Sequence, residues 1–120
     1  MKKFIKKELK IVINYGDGNG NQYIIEQESI EYNPVKPKFS SSGIYDGGEY
    51  VKKKITQQQY NKIASIFKEA IANEASHIKN RVKMSGAITI QEGDAVKSCI
   101  LNPNSEEVNE IEKKLKDLIK

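Results

Sequence analysis

Reactive and cross-linking residues are scarce in this chain: it holds one cysteine, one histidine and no tryptophan. With Cys99 alone, no internal disulfide can form, which fits a reducing compartment or an exported protein that does without bridges. Among 20 basic residues only Arg81 is an arginine. Arginine is the usual residue for bidentate phosphate and base recognition, whereas lysine is a compact, well-hydrated charge. The net charge of +4 is therefore discounted as a sign of nucleic-acid binding.

Long hydrophobic runs are also missing. Nothing approaches the ~20 apolar residues a membrane helix needs. The opening Met1-Lys2-Lys3-Phe4-Ile5-Lys6-Lys7 has the basic flavour of a signal peptide, but Glu8 and Lys10 interrupt the apolar stretch that should follow. A cytoplasmic chain with no membrane partner is expected. No Gly-Lys-Ser/Thr ending is present, so a P-loop is excluded. No cofactor is expected.

What remains is a chain of 120 residues, 38% hydrophobic and 30% charged. It is long enough for one core and too short for two, so residues 1–120 are read as a single α+β domain. Leu9, Ile11, Ile13 and Tyr15 alternate with polar or smaller neighbours, the period-two pattern of a half-buried strand. Residues 16–21, Gly-Asp-Gly-Asn-Gly-Asn, permit a chain reversal. A second strand is expected from Tyr23 to Tyr32, its shift of apolar phase absorbed by a one-residue bulge. Pro34 and Pro37 end it, and a third strand is expected over residues 49–55, where Lys52, Lys53 and Lys54 suggest a sheet edge.

Thr56-Gln57-Gln58-Gln59 has the spacing of a capping box, and Tyr60, Ile63, Ala64, Phe67, Ala70 and Ile71 follow on one helical stripe. Residues 76–80 read either as a frayed last turn or as the start of a strand through Ile78 and Val82. A hairpin is expected around Glu92-Gly93-Asp94, flanked by residues 87–90 and 96–101. After Asn102-Pro103 a second helix begins, with Glu106 and Glu107 at its positive end and Lys113, Lys114, Lys116 and Lys120 towards its negative end. The order β-β-(β)-α-β-β-α implies an antiparallel sheet of four to five strands with both helices on one face. The other face is expected to be partly wet.

Four groups of residues invite a functional reading. The first is metal binding: Asp17, Asn19, Asn21, Ile24 and Glu28 fall on positions one, three, five, eight and twelve of a calcium loop. Gln22, where that motif needs glycine, and the strand-like flanks count against it, and an Asn/Gly-rich hairpin turn explains the same residues. The second is the Ser/Gly-rich loop 40–48, in which Ser42, Gly43, Ile44, Tyr45, Asp46 and Gly47 offer flexible backbone around an aromatic anchor for a protein partner. A crossover connection with a buried tyrosine is the competing account.

The third group is basic. Lys7 and Lys10, with Lys52, Lys53 and Lys54, would make one positive patch if their strands were neighbours, and Tyr50 would stack on a base. No RNP, KH or zinc signature accompanies them. The fourth is His77 with Cys99, neither of which has a partner at catalytic or metal-ligand spacing. The leading expectation is a non-enzymatic protein-interaction module of the inhibitor, immunity or adaptor kind, contacting its partner through loop 40–48. The alternatives are lysine-mediated nucleic-acid binding and a calcium site at residues 17–28.

Overall fold

The computed structural model describes residues 11–36, 43, 47–80, 82 and 84–120. Among them the order is β1 (Ile11–Gly16), β2 (Gln22–Glu26), β3 (Ser29–Asn33), β4 (Val51–Lys54), α1 (Gln57–Ala72), a 3-10 turn (Glu74–Ser76), β5 (His77–Ile78), β6 (Gly86–Glu92), β7 (Ala95–Leu101) and α2 (Glu106–Ile119). The class is α+β, with an antiparallel sheet and two helices. The sheet has 7 strands in the order β4-β3-β2-β1-β6-β7-β5, rather than four or five.

Two of the extra strands have clear origins. The phase shift between Tyr23 and Tyr32 is no bulge: Gln27 and Glu28 form a two-residue turn, and β2 pairs with β3 from Gln22↔Asn33 to Glu26↔Ser29. Reversing the chain resets the alternation as a bulge would. The ambiguous stretch 76–80 resolves as the 3-10 turn followed by β5, which pairs only His77↔Leu101 and Ile78↔Ile100. The expected β6–β7 hairpin is present, and Gly93 has φ 60, as the first turn residue of a type II′ connection requires.

One face of the sheet carries the core. Its middle row runs Tyr32–Tyr23–Tyr15–Ile88–Cys99 across β3, β2, β1, β6 and β7, and the next row runs Ile30–Ile25–Ile13–Ile90. Tyr23 and Tyr32 lie 4.8 Å apart between ring centroids, and Tyr15 meets Phe67 of α1 at 5.9 Å. Phe67, Ile63 and Ala70 of α1 and Ile111 and Leu115 of α2 close this core from one side.

Both helices begin as the sequence indicates. The Thr56 hydroxyl accepts from the Gln59 amide, and the Gln59 side chain accepts from the Thr56 amide, which satisfies two of the donors a helix start leaves open. Ser105 caps α2 by accepting from the Val108 amide.

The opposite face presents Glu31, Ile24, Asn14, Thr89 and Ser98 in one transverse row, all of them partly or fully exposed. That is the wet face of a one-sided antiparallel sheet.

Two close approaches fix how the strands sit. A Cβ on Gly86 would fall 2.3 Å from the Tyr15 hydroxyl, so β6 can pass the ring only because residue 86 has no side chain. A Cβ on Gly18 would meet the Met84 backbone at 2.2 Å, which presses the β1–β2 turn against the segment before β6.

Candidate functional site

Three connections gather at one end of the sheet: the β1–β2 turn, the long β3–β4 connection and the residues leading into β6. The turn is built around Asp17, which is only 8% exposed. Its Oδ1 accepts from the Asn19 and Asn21 amides at 2.9 and 3.0 Å, and its Oδ2 accepts from Asn21 Nδ2 at 2.8 Å. A carboxylate supplied with three donors is satisfied without an ion. Asn21, 2% exposed, turns its Oδ1 away to accept from the Val35 amide at 2.9 Å.

These facts correct the calcium-loop reading. Asp17 and Asn21 spend their oxygens on the protein's own amides, while Glu28 sits in the β2–β3 turn at the far end of β2. The structure therefore does not bring Glu28 to Asp17, Asn19 and Asn21. Among the described residues no cluster of three His, Cys, Asp or Glu side chains is placed to hold a metal ion.

Val35 and Gly47 bracket the Ser/Gly-rich connection, and both are tied down. The Gly47 amide donates to the Val35 carbonyl at 2.9 Å, and the Tyr32 hydroxyl donates to the Gly47 carbonyl at 2.5 Å. Lys36 Nζ reaches the Gly48 carbonyl at 2.6 Å. A Cβ on Gly47 would lie 2.0 Å from Asn21 Oδ1, so only glycine fits at that foot of the loop. Of the six residues assigned to partner contact, Gly43 is exposed and Gly47 is half-buried. Ser42, Ile44, Tyr45 and Asp46 lie outside the described residues, as do Lys7 and Lys10.

The segment leading into β6, which meets the β1–β2 turn at Gly18, exposes two apolar side chains that sequence reasoning missed. Val82 is 53% and Met84 48% exposed. Met84 also has φ 69, the left-handed region that a non-glycine residue rarely enters. Its backbone is the one that lies against Gly18. Nothing local in the sequence announces this conformation.

The basic residues occupy different ground. Lys52, Lys53 and Lys54 line β4 at the sheet edge, and β3 and β2 separate them from β1. With Ile11, Glu26, Gln27, Glu28 and Ser29 they border an open groove of ≈ 600 Å³ at the opposite end of the sheet. Its rim mixes three lysines with Glu26 and Glu28, and Lys52 pairs in register with Glu31. Tyr50 donates its hydroxyl to Glu31 Oε2 at 2.8 Å, which places a carboxylate at the ring edge offered for stacking. A polyanion would meet acidic as well as basic side chains there. Lys53 itself points to the core side and donates to the carbonyl of Lys120.

Among the described residues, His77 and Cys99 belong to no cluster of three His, Cys, Asp or Glu side chains. His77 contacts the Ala70 carbonyl through Nε2 at 2.9 Å. Cys99 faces the core side opposite Ile88, and burial pushes its thiol pKa up, away from the reactive thiolate. The most perturbed group is the Tyr15–Glu112 pair, whose hydroxyl donates to Glu112 Oε2 at 2.8 Å. Burial, then the Glu112 charge, holds the Tyr15 hydroxyl far above the usual range. Burial raises the Glu112 carboxyl; the Tyr15 hydrogen bond and Lys116 work against that rise, and Asp17 adds to it. Gly86 lies against this hydroxyl, and the pair joins β1 to α2.

The fold and this end of the molecule define a class: an antiparallel sheet backed by two helices, with an anchored Ser/Gly-rich connection. The chain matches no family model, no curated protein and no solved structure.

Proposed function

We propose that this is a non-enzymatic, cytoplasmic protein-interaction module of the inhibitor, immunity or adaptor kind, a single domain that meets its partner at the end bearing loop 40–48. The observation that carries the reading is the anchoring of Val35 and Gly47, one to the other and to Asn21 and Tyr32, with Val82 and Met84 exposed on the segment that meets the same β1–β2 turn. Fixed loop ends lower the ordering cost of association, and exposed apolar side chains beside them offer area that binding removes from water. A backbone held at an unusual φ by its surroundings also fits a functional position. In this reading Ile44 and Tyr45 supply the anchor contacts, with Val82 and Met84 at the margin of the same surface.

The test compares the wild-type chain with Tyr45→Ala and Val82→Asp in affinity capture from native cells. Both changes should remove the same co-eluting protein while leaving the melting temperature within about 2–4 °C, the scale of a surface substitution. Undiminished capture by both variants, or unfolding on loss of Tyr45, would refute the reading.

A further inference from the structure

The turn that holds Asp17 also contains the one Asn-Gly pair in the sequence, Asn19-Gly20. Asparagine before glycine is the sequence most open to intramolecular attack, because no Cβ shields the following amide nitrogen. The structure separates two similar dipeptides here. Asp17-Gly18 is shielded: its carboxylate is buried and takes three hydrogen bonds. The Asn19 side chain, by contrast, is exposed and its carboxamide makes no hydrogen bond to any described residue. Among the described residues the Gly20 amide is held only by the Asp17 carbonyl, at 3.2 Å, the far end of the normal range.

We infer that Asn19 is a site of spontaneous, water-driven modification to aspartate and isoaspartate, and that its conversion loosens the loop end. The Gly20 nitrogen, its proton given to solvent base, bonds to Asn19 Cγ. The Cγ–Nδ2 bond breaks and ammonia leaves with the returned proton. Water then opens the resulting succinimide at either carbonyl. No oxidant or reductant takes part.

The structural consequence follows from what Asn19 and Asn21 do. Isoaspartate inserts a methylene into the main chain between the two amides that share Asp17 Oδ1. Both cannot then keep their 2.9 and 3.0 Å bonds to one oxygen. A displaced Asn21 releases the Val35 amide and leaves the groove against Gly47. The effect thus spreads from an exposed turn to both feet of the Ser/Gly-rich connection. It does not depend on that connection binding a partner.

Asn104 serves as the internal comparison, being exposed but followed by Ser105, whose amide is bound to the Asn102 carbonyl at 3.0 Å. The folded chain is held in mildly alkaline buffer, and its peptides are then weighed and assayed with an isoaspartyl methyltransferase. The amide-to-acid mass gain and the methyl-accepting group are expected at Asn19 well before Asn104, and at neither position 19 nor 20 in Asn19→Ser. That variant keeps the fold because the structure uses only the Asn19 backbone amide. Hydrogen exchange on the aged wild-type protein should show faster exchange at the Asn21, Val35 and Gly47 amides, with the Ile13 and Ile88 amides unchanged. An unmodified Asn19 in the folded chain overturns the inference. So does modification at Asn19 with those three amides still protected.

Discussion

Glu112 shows how a single side chain ties the helical layer to the sheet. Its carboxylate accepts from Tyr15, 97 positions away in sequence, and burial raises its pKa. A carboxyl whose folded pKa lies above its unfolded value favours the protonated form in the fold. Its stabilising contribution is therefore greatest in acid, and is lost as pH rises from the unfolded value, about 4.3, through the folded one. Glu112→Gln keeps an acceptor for Tyr15 without burying a charge. In chemical denaturation it should match wild type in acid and exceed it increasingly as pH climbs toward neutrality. Glu112→Ala, which strands the Tyr15 hydroxyl, should cost about 1–3 kcal/mol in acid and progressively less as pH climbs. Tyr60 carries the contrary lesson: its hydroxyl is buried with no hydrogen-bond partner among the described residues, so the ring rather than the oxygen holds its place.

At the scale of elements, the sequence is legible where local chemistry decides the outcome. The capping box at Thr56, the stripe from Tyr60 to Ala70 and the turn at Gly93 all depend on residues within a few positions of one another. Replacing Thr56 by alanine removes one half of the reciprocal cap and should lower stability by about 1 kcal/mol, measurable as a shifted urea midpoint with an unchanged slope. Signals failed where two structures share one pattern. A bulge and a two-residue turn both reset apolar alternation, so Tyr23 to Tyr32 could not reveal that Gln27 and Glu28 reverse the chain. Likewise Asp17, Asn19 and Asn21 have spacing that suits either an ion or the protein's own amides. The choice lies in the position of Val35, which is remote in sequence.

For the whole molecule, the α+β class and one-sided layering were legible because they follow from the order of amphipathic elements. Strand order was not, since it depends on pairings such as β1 with β6 across more than half the chain. The same limit hid the candidate site: the Met84 backbone meets Gly18, a residue far away in sequence, and nothing in its own neighbours signals that contact. Phe67 stands where the layers meet, fully buried, its ring tilted against that of Tyr15. Phe67→Ala should remove about 3–5 kcal/mol, a large share of the ~5–15 kcal/mol available to a folded chain. Helix and tyrosine signals should still disappear together in denaturant, because both elements share that one core.

The bare backbone at Gly86 carries a consequence for divergence. An alanine there has no room unless the ring at position 15 shrinks, and a smaller residue at 15 deprives Glu112 of its donor. Positions 15, 86 and 112 are thus bound to change as a trio or stay as they are, while the lysines of the β4 rim can drift one at a time.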